Sequence, residues 1–217
     1  MNEQLITGFA QLKKASLADQ IHDSILEMII KNPSDEEQIL NEKKLMELFG
    51  VSKAPVREAL IKLCSEGVLI SVPRFGYMVI QLQEKDFEDI KKMRVMLETE
   101  ALRLSFPHIT EHQKQQLSHQ LMSASEKKNV DVWKVWQDNE EFHMLLASFS
   151  ENKILLKFLR QCMEMAKRAY AQNVWKMNNS MADSVIENAH RDIYHKLCEG
   201  DLEGTLKLLE QDILGKI

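Results

Sequence analysis

Two short amphipathic helical patterns near the start of the chain are separated by a single glycine, and this arrangement restricts the possible folds more than any other feature. The first pattern covers roughly residues 41–49, Gly50 follows it, and the second runs from about Lys53 to Ser65. Glycine breaks the first helix and permits a tight turn into the second. Gly67 ends the second helix, after which the segments VLISVP and YMVIQL flank the turn RFG. Their apolar and alternating character predicts a two-stranded hairpin, or wing.

A further amphipathic helix is predicted before this pair. It starts near Ser16, in the sequence SLADQIHDSILEMII, and Pro33 stops it. The side chains expected to be buried in the three helices are Leu17, Ile21, Ile25, Met28 and Ile29, then Leu45, Leu48 and Phe49, then Val56, Leu60 and Leu63. Three short helices followed by a hairpin form a winged helix-turn-helix, whose third helix can enter the major groove of DNA.

The pattern changes after residue 82. From Asp86 onward no strand-like segment is recognisable, and amphipathic helices are predicted near residues 86–105, 110–127, 130–149, 151–177, 181–199 and 202–215. Only 7 glycines and 4 prolines in 217 residues favour long helices over many turns. We therefore predict a mainly α fold with two domains, a winged helix-turn-helix over residues 1–82 and an all-helical bundle over residues 83–217.

Positive charge is concentrated in part of the first region. The whole chain has a formal net charge of -5, which argues against non-specific coating of nucleic acid. Residues 1–82 contain nine Lys or Arg against eleven Asp or Glu. Residues 43–76 instead contain six cations against three anions: Lys43, Lys44, Lys53, Arg57, Lys62 and Arg74 against Glu47, Glu58 and Glu66. This local excess favours a DNA-binding surface.

The start of the third helix carries the residues predicted to contact base pairs. Ser52 is expected to cap the helix or touch a phosphate, and Lys53 and Arg57 lie four residues apart on one face. Ala54 is small enough to let the helix approach the base edges. Arg57 is the predicted base reader, because a guanidinium can pair bidentately with guanine.

Three further residues are expected to contact the DNA backbone or minor groove. Lys43 lies at the start of the preceding helix, and Arg74 and Gly76 lie at the wing. The alternative is that these charges form only a solvated edge of a protein-interaction module without DNA function.

The segment LNEKKLMELFGVSKAPVREALIKLCSEGVLISVPRFGYMV resembles the DNA-binding domain of GntR-family bacterial transcription regulators. The matching residues are Val51, Ser52, Pro55, Val56, Arg57, Glu58, Ala59, Leu60, Leu63, Gly67 and Gly76. Lys53 and Ala54 stand where the family usually has Arg and Thr, so an altered operator preference is expected. The loop KNPSDEEQIL also lacks the family's usual Gly-x-Leu-x-Pro-Gly turn.

The second region resembles FCD, the helical ligand-binding domain of the FadR subfamily. The resemblance lies in MRVMLETEALRLS, NEEFHMLLASFSENKIL and ENAHRDIYHKLCEGDLEGTLKLLEQDI. It implies a homodimeric regulator that binds a near-palindromic operator and responds to a small organic acid in the bundle. Arg94 could meet the carboxylate of that effector, or form an ion pair with Glu98.

Polar residues are also predicted inside the bundle. Asn139 and His143 lie in the apolar stripe of one helix, His190 lies in the stripe of another, and Asp212 lies near the stripe of the last. Four inward polar residues could hold a divalent cation of the Zn or Ni type. The alternative is that each histidine is a core residue with a neighbouring hydrogen-bond partner.

The family resemblance bears on this choice of ligands. The metal-binding members use an Asp or Asn, a His four residues later and two further His on the last helices. Asn139, His143 and His190 match these positions, whereas Asp212 replaces the final His. His195 faces away from the stripe of His190 and is expected at the surface.

The remaining features favour a soluble regulator over other classes. No apolar run approaches the roughly 20 residues that span a bilayer, and MNEQLITGFAQLKK lacks signal-peptide features, so the cytoplasm is expected. Cys64, Cys162 and Cys198 form no C-x-x-C pair and are predicted to be buried thiols. A hydrolase-like enzyme using the metal is the rival class, but no nucleophile or general base with an orienting partner is recognisable. We therefore predict a transcriptional regulator and no enzyme.

Overall fold

The computed structural model of the chain describes residues 16–32, 37–125, 132–173 and 183–215. The chain divides into two compact units between Gln81 and Leu82. The predicted fold class, a winged helix-turn-helix followed by a helical bundle, is confirmed.

Within its described residues, the first unit contains three helices and a small antiparallel sheet. Its elements are α1 (Leu17–Lys31), β1 (Ile39–Leu40), α2 (Glu42–Phe49), α3 (Lys53–Ser65), β2 (Leu69–Val72) and β3 (Gly76–Val79). The strand order is β1-β3-β2, with Ile39 opposite Met78 and Leu69 opposite Val79. The predicted hairpin of β2 and β3 is present. The third strand was not predicted, because β1 has only two residues and is too short to show an alternating pattern.

The core of this unit joins α1 and α3 to the sheet. The predicted residues Ile21, Ile25, Ile29, Leu45, Val56, Leu60 and Leu63 are buried in it together with Val68, Leu69 and Val79. Leu17 and Leu48 were predicted to be buried, but 50% and 65% of their surfaces are exposed. Leu17 is the first residue of α1, and α2 is so short that Leu45 is its one buried residue.

Glycines at two turns have backbone conformations that other residues rarely adopt. Gly50 ends α2 with a φ of 64°, which allows the sharp turn into α3. Gly76 has a φ of 125°, and a Cβ atom there would overlap the backbone carbonyl oxygen of Leu40. Glycine at position 76 is therefore required for β1 to pair with β3, and its predicted contact with DNA stays a prediction.

The wing turns at Val72–Phe75, where the Phe75 N–H donates to the Val72 carbonyl oxygen at 3.1 Å. Pro73 precedes Arg74, and Arg74 has a φ of 71°. These are the features of a type II turn, in which glycine usually occupies the position of Arg74. Arg74 and Phe75 are both exposed at the tip of the wing.

A buried histidine joins the first helix to the end of the third. His22 on α1 is 7% exposed, its Nε2 lies 2.6 Å from Glu66 Oε2, and its Nδ1 lies 2.8 Å from Asp23 Oδ1. Nearby, Lys62 Nζ donates to Asp19 Oδ1 at 2.9 Å. Burial lowers the pKa of His22 and the hydrogen bonds to Glu66 and Asp23 raise it, with a net pKa above the ordinary value of 6.5.

We expect the His22 ring to titrate above pH 6.5 in an NMR titration of the folded protein, and Glu66→Gln to lower that midpoint. Since the folded pKa is raised, the stability that His22 contributes is complete below its unfolded pKa and is lost as the pH rises through the folded pKa. The first unit should therefore unfold more easily at alkaline than at mildly acidic pH. A midpoint at or below 6.5 would contradict the geometry.

The second unit is a helical bundle, and the part of it that the structure describes contains no strand. Its helices are α4 (Glu84–Ser105), α5 (Glu111–Ser125), α6 (Val132–Ser148), α7 (Lys153–Asn173), α8 (Asp183–Glu199) and α9 (Leu202–Leu214), with a 3₁₀ turn at Phe106–His108. The predicted helix bounds that fall on described residues lie within two residues of the observed ones, whereas the predicted bounds at 127, 130, 177 and 181 lie outside the described residues. None of the helices among the described residues combines the length and apolarity that a membrane span requires.

The cysteine prediction is correct only in part. Cys64 and Cys162 are half-buried, whereas Cys198 is exposed. Cys198 follows Leu197, which points into the core of the bundle, and adjacent residues of a helix face different directions. His195 is exposed, as predicted.

Candidate functional site

The start of α3 presents the predicted base-reading residues to solvent. Lys53, Ala54 and Arg57 are all exposed in the first turns of this helix. Ser52 occupies the N-cap position, but the predicted side-chain cap is absent, because its hydroxyl makes no capping hydrogen bond. The Ser52 side chain is exposed beside the first turn.

Several of the predicted cations have carboxylate partners. Lys53 Nζ lies 3.3 Å from Glu42 Oε2, Lys62 is paired with Asp19, and Lys43 Nζ lies 4.0 Å from Glu47 Oε1. Asp19 and Glu42 lie outside residues 43–76, so the charge count over that range overestimated the local excess. Among the described residues Arg57 and Arg74 make no ion pair, and both are exposed.

A cleft of about 420 Å³ lies between the start of α2, the start of α3 and the wing. Glu42 and Lys53 line it, and so do Lys43, Arg74 and Tyr77. The Tyr77 hydroxyl donates a hydrogen bond to Glu42 Oε1 at 3.1 Å. Burial and the neighbouring Glu42 raise the pKa of Tyr77, so the hydroxyl keeps its proton near neutral pH.

Inside the bundle, three of the four predicted metal ligands lie together. His143 Nε2 lies 2.9 Å from Asp212 Oδ2, and His190 Nε2 lies 3.6 Å from the same oxygen. His143 is 1% exposed and His190 is 5% exposed. Asn139 is half-buried on α6, one turn before His143. The Phe142 ring stacks on His190, with centroids 4.0 Å apart.

One member of this cluster was not predicted from the sequence. Glu98 on α4 is buried, and its Oε2 lies 2.5 Å from His143 Nδ1. Its other oxygen, Oε1, accepts a hydrogen bond from Arg94 Nε at 2.9 Å. Glu98 was considered only as the ion-pair partner of Arg94 on its own helix. Its contact with His143 spans 45 residues of sequence and leaves no local pattern.

The buried charges of the cluster are balanced by direct contacts. Burial lowers the pKa of His143, but Glu98 and Asp212 raise it to about 9. Burial raises the pKa of Asp212, and the two histidines lower it well below its ordinary value. Burial lowers the pKa of His190. Near neutral pH, His143 is therefore a cation between two carboxylates, and His190 is neutral.

Two buried nitrogen atoms of the cluster lack a hydrogen-bond partner within the described part of the chain. Arg94 donates through Nε to Glu98, as one of the two interpretations expected, but its Nη2 has no acceptor. His190 Nε2 is also unpartnered, since 3.6 Å from Asp212 is beyond hydrogen-bond range. Buried polar atoms in proteins usually have a hydrogen-bond partner, so a bound ligand, ion or water is the expected partner of these two atoms.

The side chains of His143, His190 and Asp212 are close enough together that they could hold a Zn-type ion. The ligand atoms of His143, His190 and Asp212 lie within 4.8 Å of one another. A tetrahedral ion with bonds of about 2.0–2.2 Å separates its ligand atoms by roughly 3.3 Å, and the observed separations of 2.9 and 3.6 Å lie on either side of that value. His143 Nδ1 is held by a carboxylate, as is usual for metal-bound histidine. Metal binding would replace the proton on His143 Nε2.

Comparisons with known proteins agree with both units. Residues 17–79 match the family described as bacterial regulatory proteins, gntR family, and residues 89–214 match the FCD domain. The chain is 29% identical over 188 residues to YdhC of Bacillus subtilis, which is described as an uncharacterized HTH-type transcriptional regulator. The aligned region covers 86% of this chain and 83% of that protein. It is 28% identical to the gluconate operon transcriptional repressor of the same organism, over 81% of this chain and 65% of that protein.

The fold has close counterparts among solved structures. The structure of E. coli McbR/YncC superposes with a TM-score of 0.78 at 21% identity, covering 93% of this chain and 95% of that one. The enzyme class is not supported, because the family and these relatives are transcriptional regulators. The chain therefore belongs to the GntR family of bacterial regulatory proteins, as a DNA-binding transcriptional regulator with an FCD domain.

Proposed function

We propose that this regulator binds a near-palindromic operator as a homodimer in the bacterial cytoplasm, and that a small carboxylic acid bound in the bundle controls its affinity for DNA. One observation carries the DNA part of this proposal. Arg57 is exposed near the start of α3 and makes no ion pair with a described residue. Its guanidinium is therefore available to a guanine in the major groove.

The other surface residues suit supporting roles. Lys53 and Ala54 would lie against the groove beside Arg57, and Ser52 would reach a phosphate at the start of α3. Lys43 on α2 and Arg74 at the wing tip would contact the backbone on either side, next to Gly76. Phosphate contacts position the protein, and the contacts of α3 with bases supply the sequence preference.

Exposed apolar side chains on α4 and α7 support the dimer. These two helices pack against each other, and each carries large apolar residues with about half or more of their surface exposed: Met93 and Met96 on α4, and Ile154 and Phe158 on α7. A second copy of the chain would remove these surfaces from water.

We expect Phe158→Glu to convert a dimer in sedimentation experiments into a monomer and to weaken operator binding. Short duplexes that the wild-type protein selects from a random-sequence pool should contain inverted half-sites about 10 base pairs, or one helical turn, apart. Lys157→Glu, a polar change at the neighbouring position on α7, is the control for added negative charge. Selection of single half-sites by a monomeric wild-type protein would contradict the dimer.

Arg94 supports the carboxylate effector. Its Nε is bound to Glu98, and its buried Nη2 would donate to a carboxylate oxygen of the ligand. One relative is the repressor of a gluconate operon, and gluconate is a carboxylate. The effector would bind two arrangements of the protein with different affinities. This difference would change the free energy of DNA binding by about 1–3 kcal/mol. The result for transcription would be either repression or activation.

We also propose a metal ion in the bundle, at the site of the effector. Asn139, His143, His190 and Asp212 would hold one Zn- or Ni-type ion, which would supply a Lewis-acid contact for the carboxylate of the effector. Glu98 would hold the His143 ring in the orientation that directs Nε2 to the ion.

Protein purified without chelators should contain about one such ion per chain by elemental analysis. The double variant His143→Ala, His190→Ala should lose it, because it removes both imidazole ligands. His195→Ala is the matched control, since this histidine lies on the same helix as His190 but is exposed. Metal retained at full stoichiometry by the double variant would exclude these ligands.

A further inference from the structure

The Glu42 carboxylate contacts two other elements of the DNA-binding unit. Glu42 is the first residue of α2. Its Oε1 accepts a hydrogen bond from Tyr77 on β3 at 3.1 Å, and its Oε2 lies 3.3 Å from Lys53 Nζ at the start of α3. The carboxylate thus connects α2, the wing and α3, and it lines the cleft between them.

We propose that Glu42 determines sequence specificity by fixing the direction of the Lys53 side chain. This inference rests on the proposed function, in which Lys53 contacts DNA. A free lysine is a point charge on a flexible stem, and it can bind any nearby phosphate. With its ammonium group held by Glu42, Lys53 has fewer accessible directions, and part of its charge is already neutralised.

The effect on discrimination follows from the charges. Contacts with phosphates are the same on every DNA sequence and supply most of the non-specific affinity. A carboxylate beside Lys53 weakens such contacts, because it offsets the lysine charge. A directed contact with a base edge uses the position of the ammonium group, which Glu42 fixes. Weakening the non-specific phosphate contacts in this way raises the specificity for one DNA sequence over others.

Two neighbours provide a contrast on the same surface. Lys43 is adjacent to Glu42 in the sequence, but its side chain is 84% exposed and lies 4.0 Å from Glu47, so it remains a general phosphate contact. Tyr77 binds the opposite oxygen of Glu42 from the one that faces Lys53. Tyr77→Phe therefore removes the contact with the wing and leaves the contact with Lys53.

The experiment compares full-length variants on two DNA probes. One probe is the duplex that the wild-type protein selects from a random-sequence pool, and the other is bulk duplex of unrelated sequence. Glu42→Gln should strengthen binding to bulk duplex, steepen its salt dependence by about one counterion and lower the ratio of the two affinities by roughly 3- to 10-fold. The side chain of Glu42 is 24% exposed and lies outside the apolar core, and an unchanged thermal transition would confirm that the variant folds.

A double-mutant cycle with Lys53→Met isolates the proposed coupling. The effect of Glu42→Gln on the affinity ratio should disappear when Lys53 is absent, and Tyr77→Phe should leave the ratio within about twofold of wild type. An effect of Glu42→Gln that persists in Lys53→Met, or an equal loss in Tyr77→Phe, would overturn the inference. If Lys53→Met alone changes neither affinity, the assignment of Lys53 to the DNA surface is wrong, and that outcome refutes the proposed function at this residue.

Discussion

Glu98→Ala is expected to lower the free energy of unfolding of the bundle by about 3–5 kcal/mol, the range found when one partner of a buried ion pair is removed. The Glu98 side chain is 2% exposed and contacts both Arg94 and His143. Without it, His143 can release its proton, but the Arg94 guanidinium stays charged and loses its acceptor in the core. The loss of unfolding free energy should therefore be far larger than the loss caused by removing a surface charge.

Chemical denaturation followed by tryptophan fluorescence measures this effect, since all three tryptophans of the chain lie after residue 82. Glu100→Ala is the matched control, because Glu100 lies on the same helix and its side chain is 54% exposed. Its effect should stay within about 0.5 kcal/mol. Equal effects of the two substitutions would show that the Arg94–Glu98–His143 contacts do not stabilise the bundle.

Arg57→Ala is expected to weaken binding to the selected operator by about 1–3 kcal/mol, or roughly 5- to 150-fold, and to relax the preference at one base pair of each half-site. The reason is that the proposed bidentate contact with guanine would be lost, while the proposed phosphate contacts would persist. Binding titrations on the selected duplex and on duplexes with single-base changes would measure both effects.

Lys43→Ala provides the comparison for Arg57→Ala. Removal of this exposed lysine should weaken binding to all duplexes to a similar degree and reduce the slope of affinity against salt by about one. Arg57→Ala, in contrast, should reduce the difference between preferred and changed duplexes. A uniform loss on every duplex from Arg57→Ala would assign this residue to the phosphate backbone instead of the bases.

Local patterns in the sequence were sufficient to predict the helices and the hairpin. The spacing of Val56, Leu60 and Leu63 predicted the buried face of α3, and Gly50 predicted the turn before it. The two-residue strand β1 was missed, because its pairing with β3 depends on a contact 39 residues away along the chain and not on its own sequence.

The candidate sites were predictable to the extent that they follow helical spacing. His143, His190 and Asp212 were identified from their places in apolar stripes, and the structure brings them together. The contacts of Glu98 with His143, of His22 with Glu66 and of Glu42 with Tyr77 join residues at least 35 positions apart. Such pairings are set by the packing of whole elements, so the spacing of residues within one element cannot reveal them.

The conformation of Arg74 implies a compromise between folding and recognition at the wing tip. A left-handed backbone costs roughly 1–2 kcal/mol for a residue with a Cβ atom, and glycine would avoid that penalty. The turn therefore retains a long cationic side chain at the expense of local stability. Stabilising this hairpin by placing glycine at position 74 would remove a guanidinium from the proposed DNA-contacting surface. Selection for thermal resistance and selection for DNA affinity would then act in opposite directions at this position.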